Sequence, residues 1–135
     1  MRRSFLVTGI LLAGLAVALG AFGAHGLKKM VDEQSVEVFK TGVQYQFYHA
    51  LALIVTALLS QKFSNRQLNW AGNLFIAGII LFSGSLYAIT AFKTIPAEVP
   101  KFIGPITPLG GLLFIAGWLF LLIAVIMTKQ LPGEE

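Results

Sequence analysis

Two histidines, His25 and His49, are the residues of this chain best suited to acid–base or metal chemistry at neutral pH. His49 lies in the stretch Thr41-Gly42-Val43-Gln44-Tyr45-Gln46-Phe47-Tyr48-His49-Ala50-Leu51-Ala52-Leu53, where several polar groups run into an apolar segment. With Tyr45 and Tyr48 it could pass a proton, because imidazole titrates near neutrality. His25 ends the preceding apolar run, and antiparallel neighbours could bring it towards Gln44, Tyr45 or His49. Ser83, Gly84, Ser85 and Tyr87 place small and hydroxyl-bearing groups deep in a third apolar segment, suited to close packing and interhelical hydrogen bonds. The candidate polar cluster is therefore His25, Gln44, Tyr45, Tyr48, His49, Ser83 and Ser85. A metal site needs three or four ligands, and the apolar runs contain no carboxylate and no Cys. No Ser-His-Asp set or phosphate-cradling Gly loop is present, and a lone His with neighbouring Tyr is not a catalytic constellation. The expectation is no enzyme, no metal and no cofactor.

The element that must position these groups is a helix. On a wheel Thr41, Tyr45, His49, Ala52, Thr56 and Ser60 share one face, following steps of four, four, three, four and four. Leu51, Leu53, Ile54, Leu58 and Leu59 surround it with apolar surface. A polar stripe facing lipid would be costly, so it is expected to face other helices.

Composition says what surrounds it. Of 135 residues, 56% are hydrophobic and 12% charged, with mean hydropathy +0.79. Soluble domains carry about 25% charged residues, so this is expected to be an integral membrane protein. The net charge of +4 comes from basic residues spread between apolar runs rather than gathered in a patch, which argues against nucleic acid. Without Cys, disulfides and thiol chemistry are excluded.

Four apolar segments predict an all-α, integral membrane four-helix bundle over residues 1–135, with helices at about 4–27, 33–60, 65–92 and 107–128. Arg2 and Arg3 resemble the start of a signal peptide, and Ala21-Phe22-Gly23 a cleavage site, but the run is long for one and a retained helix is expected. Gly26 reads as the cap ending the first helix, and Lys28 and Lys29 suit its negative end. Asp32 reads as the N-cap of an interfacial stretch that continues, with a bend near Gly42, into the second helix. Ser64-Asn65-Arg66-Gln67 matches a capping box for the third, with Phe63 and Leu68 as staple. Pro96, Pro100, Pro105 and Pro108 imply an ordered or partly re-entrant loop, with Thr107 as N-cap and Pro108 in the first position of the fourth helix. Lys129 to Glu135 reads as a polar tail.

Small residues mark packing surfaces. Ala16, Gly20 and Ala24 form a ridge on the first helix; Gly84, Gly110 and Gly111 offer close approach on the third and fourth. Four spans place both termini on one side. Arg2, Arg3, Lys62, Arg66 and Lys129 flank that side, and Lys28, Lys29, Lys40, Lys93 and Lys101 the other, an even basic count. The Arg pair before the first helix favours cytoplasmic termini.

At Gly20-Ala21-Phe22-Gly23-Ala24-His25-Gly26-Leu27, Tyr45-Gln46-Phe47-Tyr48-His49-Ala50-Leu51-Ala52-Leu53, Leu81-Phe82-Ser83-Gly84-Ser85-Leu86-Tyr87 and Ile106-Thr107-Pro108-Leu109-Gly110-Gly111 the chain resembles small bacterial inner-membrane proteins of the YgdD/YwdK type, a family of unknown function. The resemblance implies a multi-pass, four-helix protein of the inner membrane and brings no activity or catalytic residue. The expected role is a structural, lipid-associated or partner-binding membrane module, with membrane lipids, a homo-oligomer or another membrane protein as partners. The alternative is an oligomeric small-solute or proton pathway along the polar face of the second helix.

Overall fold

The computed structural model describes residues 2–128, so the polar tail and the place of Lys129 in the charge count lie outside the described residues. Four helices among them are long and apolar enough to cross a membrane. They are α1 (Arg3–Ala24), α2 (Glu33–Lys62), α3 (Arg66–Phe92) and α4 (Ile103–Ile126). Helix α2 is the centre: 44% of its apolar window is buried, against 17% for α1. Helix α1 packs along α2, α3 packs on both α2 and α4, and α2 meets α4 chiefly through aromatic side chains.

Helix α1 stops at Ala24 rather than Leu27, and a short 3₁₀ turn, Leu27–Lys29, follows. Gly26 does not take the left-handed conformation expected of a cap, having φ −66° and ψ −41°. What its missing side chain supplies is room, because a Cβ there would lie 3.0 Å from the Phe22 ring. Asp32 caps α2 as read from the sequence, accepting from the Ser35 N–H at 3.0 Å. Helix α2 then runs without a break through Gly42.

The cap of α3 is displaced by one residue from the expected box. Asn65, not Ser64, accepts the Leu68 N–H at 3.0 Å, while its Nδ2 donates to the Ala124 carbonyl of α4 at 3.0 Å. Ser64 is engaged by Arg2, whose guanidinium donates to its Oγ at 3.2 Å and to the Asn65 carbonyl at 3.1 Å. Phe63 still packs against the cluster that holds Leu68. Midway along α3 the α-helix widens into a π turn, Ile79–Ser83, and the Gly84 N–H reaches back to the Ile79 carbonyl.

Helix α4 corrects the reading most. It begins at Ile103, four residues before the expected Thr107 cap, and Pro108 lies inside it. Pro105 occupies the first turn, where an N–H has no intrahelical partner to lose. Pro108 has no N–H for the Gly104 carbonyl, and exposed Gly104 leaves open space around that turn. Thr107 spends its hydroxyl on α3, as described below.

Candidate functional site

The buried polar groups of α2 form a seam along the helix. Its inward face is Phe39, Gly42, Gln46, His49, Leu53, Thr56 and Ser60, rotated by about one residue from the expected face. His49, Ala52, Thr56 and Ser60 are buried, as that reading required. Tyr45 is 39% exposed, and Thr41 turns its hydroxyl back onto the Glu37 carbonyl. Neighbouring helices decide this rotation: Gly42 and Gln46 face α1 and α3, which carry matching groups.

Gln46 is the centre of the seam and 2% exposed. Its Nε2 donates to the Leu12 carbonyl of α1 at 2.8 Å, and its Oε1 accepts from the Tyr87 hydroxyl of α3 at 2.6 Å. One side chain thus ties three helices. A turn away, Ser83 of α3 donates to the Gly42 carbonyl at 2.7 Å. At the far end Ser60 accepts the Arg2 backbone N–H at 2.8 Å, tying the start of α1 to the end of α2.

His49 makes the connection to α4. The Trp118 indole N–H donates to its Nε2 at 3.1 Å, which makes Nε2 the acceptor and leaves the ring proton on Nδ1. Nδ1 donates to the Tyr45 carbonyl at 2.7 Å. The imidazole stacks on Phe114, with centroids 3.5 Å apart and planes 8° from parallel. Both nitrogens and one ring face are therefore occupied. An arriving proton would have to displace Trp118 before it found a lone pair.

Ser85 and Thr107 form a second link, between α3 and α4. Ser85 donates to the Phe82 carbonyl at 2.8 Å, beside the π turn, and its oxygen lies 2.6 Å from the Thr107 hydroxyl. With the serine proton committed, Thr107 is the donor.

The remaining candidates lie elsewhere. Leu12 pairs with Gln46 and Gly23 meets Phe39, so His25 falls near the level of residue 37 of α2. That is twelve residues before His49, or about 18 Å along the axis. His25 and Gln44 are exposed, and Tyr48 is 52% exposed, with its ring against Tyr45. Of the packing residues, Ala16 is buried, Gly20 approaches Val43 and Ala24 is half-covered at the helix end. Among the glycines of α1, Gly9 meets the backbone of α2: a Cβ there would lie 2.7 Å from the Ile54 side chain and 3.0 Å from the Ala50 carbonyl oxygen. Gly110 lets α4 rest on the backbone of Phe82; Gly111 has only the Phe82 ring near it, at 3.9 Å, and Gly84 has open space.

Gln46, Tyr87 and Trp118 carry the network; the polar cluster contained none of them, although Tyr87 reads from the sequence as a hydroxyl suited to an interhelical hydrogen bond, and it makes one. Gln46 could have been found: it stands four residues after Gly42 and three before His49, on one helical face. Nothing in the sequence around Trp118 announces its partner.

Beside His49, between α2 and α4, a groove of about 610 Å³ opens to the side of the bundle. Phe82 and Phe114 line its depth, Tyr45 and Trp118 its edges, and Pro108, Gly111, Leu112 and Ile115 the α4 wall. No group of three or more His, Cys, Asp or Glu that could hold a metal occurs among the described residues. The arrangement can fix helices and receive an apolar chain.

Residues 19–111 match the family described as "Protein of unknown function (DUF423)". The chain is 45% identical over 125 residues to the UPF0382 membrane protein YwdK of Bacillus subtilis, covering 92% of this chain and 97% of that protein. It is 45% identical over 122 residues to the UPF0382 membrane protein SAB0533 of Staphylococcus aureus, covering 90% and 94%. A UPF0382 membrane protein of Staphylococcus epidermidis is 43% identical over 124 residues, covering 92% and 96%. No solved structure matches the chain significantly.

Proposed function

We propose that this chain, which belongs to the DUF423 family of membrane proteins, is a non-enzymatic, lipid-associated structural module of the membrane. The observation that carries this reading is that the buried polar groups of the seam are paired, with one another and with the backbone of neighbouring helices. Gln46 bridges α1 and α3, Ser83 holds the Gly42 carbonyl, and His49 has both ring nitrogens engaged. A conducting stripe needs polar groups free to exchange partners with water or solute, whereas a register-fixing seam needs them closed. These are closed. What the bundle then offers its surroundings is apolar surface and a side groove, so its partners are membrane lipids or apolar helices of other membrane proteins or of a second copy.

Purified protein in liposomes loaded with a pH-sensitive dye tests this. The wild type is expected to pass no protons, and His49→Ala to lower the melting temperature in detergent. Proton flux from the wild type that disappears in His49→Gln without a change in melting would overturn the structural reading.

A further inference from the structure

We infer that the groove between α2 and α4 is a binding site for one acyl chain of an anionic glycerophospholipid, drawn from the leaflet on the side of the α3–α4 connection. This rests on the reading of the chain as a lipid-associated module, and it names the ligand.

Length is the first argument. The α4 wall runs from Pro108 to Trp118, ten residues, or about 15 Å of helix. That is half of a hydrocarbon core of about 30 Å, the depth of one leaflet. Its upper end, Pro108, lies five residues inside the start of α4 at Ile103, about 8 Å down the axis. At its lower end the lining residues Trp118 and His49 are joined by a hydrogen bond. The groove thus runs along the helix axis as a lipid chain does, from about 8 Å to about 23 Å below the start of α4, beginning nearer the side of the α3–α4 connection and ending a little past the middle of the helix.

Chemistry is the second. Of the lining side chains that can hydrogen-bond, His49 has both nitrogens engaged and Trp118 spends its N–H on His49, which leaves the Tyr45 hydroxyl in an otherwise apolar lining. A polar solute would find little to replace its water there, whereas a hydrocarbon chain loses nothing. Lys101, exposed two residues before α4, belongs to the connection on the side where the phosphate of such a lipid would lie. Glu98 is also exposed in that connection, three residues before Lys101.

Native mass spectrometry of the protein in mild detergent with phosphatidylglycerol tests the site. Gly111→Leu is the filling variant, because a Cβ at Gly111 meets only the Phe82 ring at ordinary contact distance and the longer side chain occupies the groove. The wild type is expected to retain one phosphatidylglycerol per chain, and Gly111→Leu to lose it while keeping its melting temperature. Gly14→Leu, on an open face of α1, should retain it. Lys101→Gln should weaken retention of phosphatidylglycerol relative to phosphatidylcholine. If Gly111→Leu folds poorly, Ile115→Trp covers the same groove from an exposed position. Equal retention in the wild type and both filling variants would overturn the inference. So would a wild-type dimer made monomeric by Gly111→Leu, which would give the groove to a second copy. Lipid loss bears on the groove and proton flux on the seam, so failure of one is distinguishable from failure of the other.

Discussion

Replacing Gln46 by Leu keeps much of the side-chain volume while removing both of its interhelical hydrogen bonds. The Leu12 carbonyl suffers little, since it remains inside the α1 ladder. The Tyr87 hydroxyl is worse placed, losing its acceptor in a half-buried position between helices. Interhelical hydrogen bonds in membrane proteins average about 0.6 kcal/mol, with about 1.7 at the upper end, so two of them give a loss of about 1–3 kcal/mol. Tyr87→Phe should cost less, because it removes the donor and leaves Gln46 its bond to Leu12. The double variant Gln46→Leu/Tyr87→Phe removes both partners and should be more stable than the two single losses added together. Reversible unfolding in mixed micelles, followed by far-UV circular dichroism, gives all four corners of this cycle. A coupling energy indistinguishable from zero would refute the claim that the seam holds three helices in register, even if each single variant were destabilised.

Other consequences follow from the packing and the charges. Gly110→Ala would place a Cβ on the backbone of Phe82, and overpacking of this kind costs about 1–3 kcal/mol, whereas Gly111→Ala should melt like the wild type. Asp32 has its carboxyl held below the ordinary carboxylate range by its hydrogen bonds to Ser35, with Lys93 contributing. A folded-state pKa below the unfolded one gives stability that is present above the unfolded value, about 3.9, and is lost as pH falls towards the folded one. Melting followed through that acidic window should therefore fall more steeply for the wild type than for Asp32→Asn; parallel curves would remove the cap from the account. Four spans place Arg2 and Thr128 on one side, so cysteines introduced at these positions should be labelled from the same side in sealed vesicles.

Much of this architecture was legible because its signals are local. Asp32 three residues before Ser35, and the charge-free apolar runs, are dictated by short-range hydrogen bonding and by the cost of polar groups in hydrocarbon. The start of α4 was not legible. Pro108 suits a first helical position so well that five further residues of helix before it gave no sign, and the open space at Gly104 shows itself only in three dimensions. The seam was half legible: His49, Thr56 and Ser60 lie on the expected face, yet Tyr45 was preferred to Gln46. A wheel places a residue on a face only to within about one position. What settles the choice is a distant partner, Leu12 or Tyr87, that periodicity along one helix cannot reveal.

The π turn of α3 can also be understood as arithmetic. A single such turn accommodates one residue more than an α-helix of the same length, and does so without rotating the helix on either side. Helix α3 therefore has 27 residues but presents its two halves to their neighbours as though it had one fewer. Phe75 before the turn faces α4, and Tyr87 after it faces Gln46, because the surplus is absorbed between Ile79 and Ser83. Losing a residue inside that window, such as exposed Ile80, can be absorbed by reverting to ordinary α geometry. Losing one from the regular stretch before it would turn everything beyond by about 100° and carry Ser83 and Tyr87 away from α2. Length variation in α3 has one tolerant place, and it lies in the middle of the membrane.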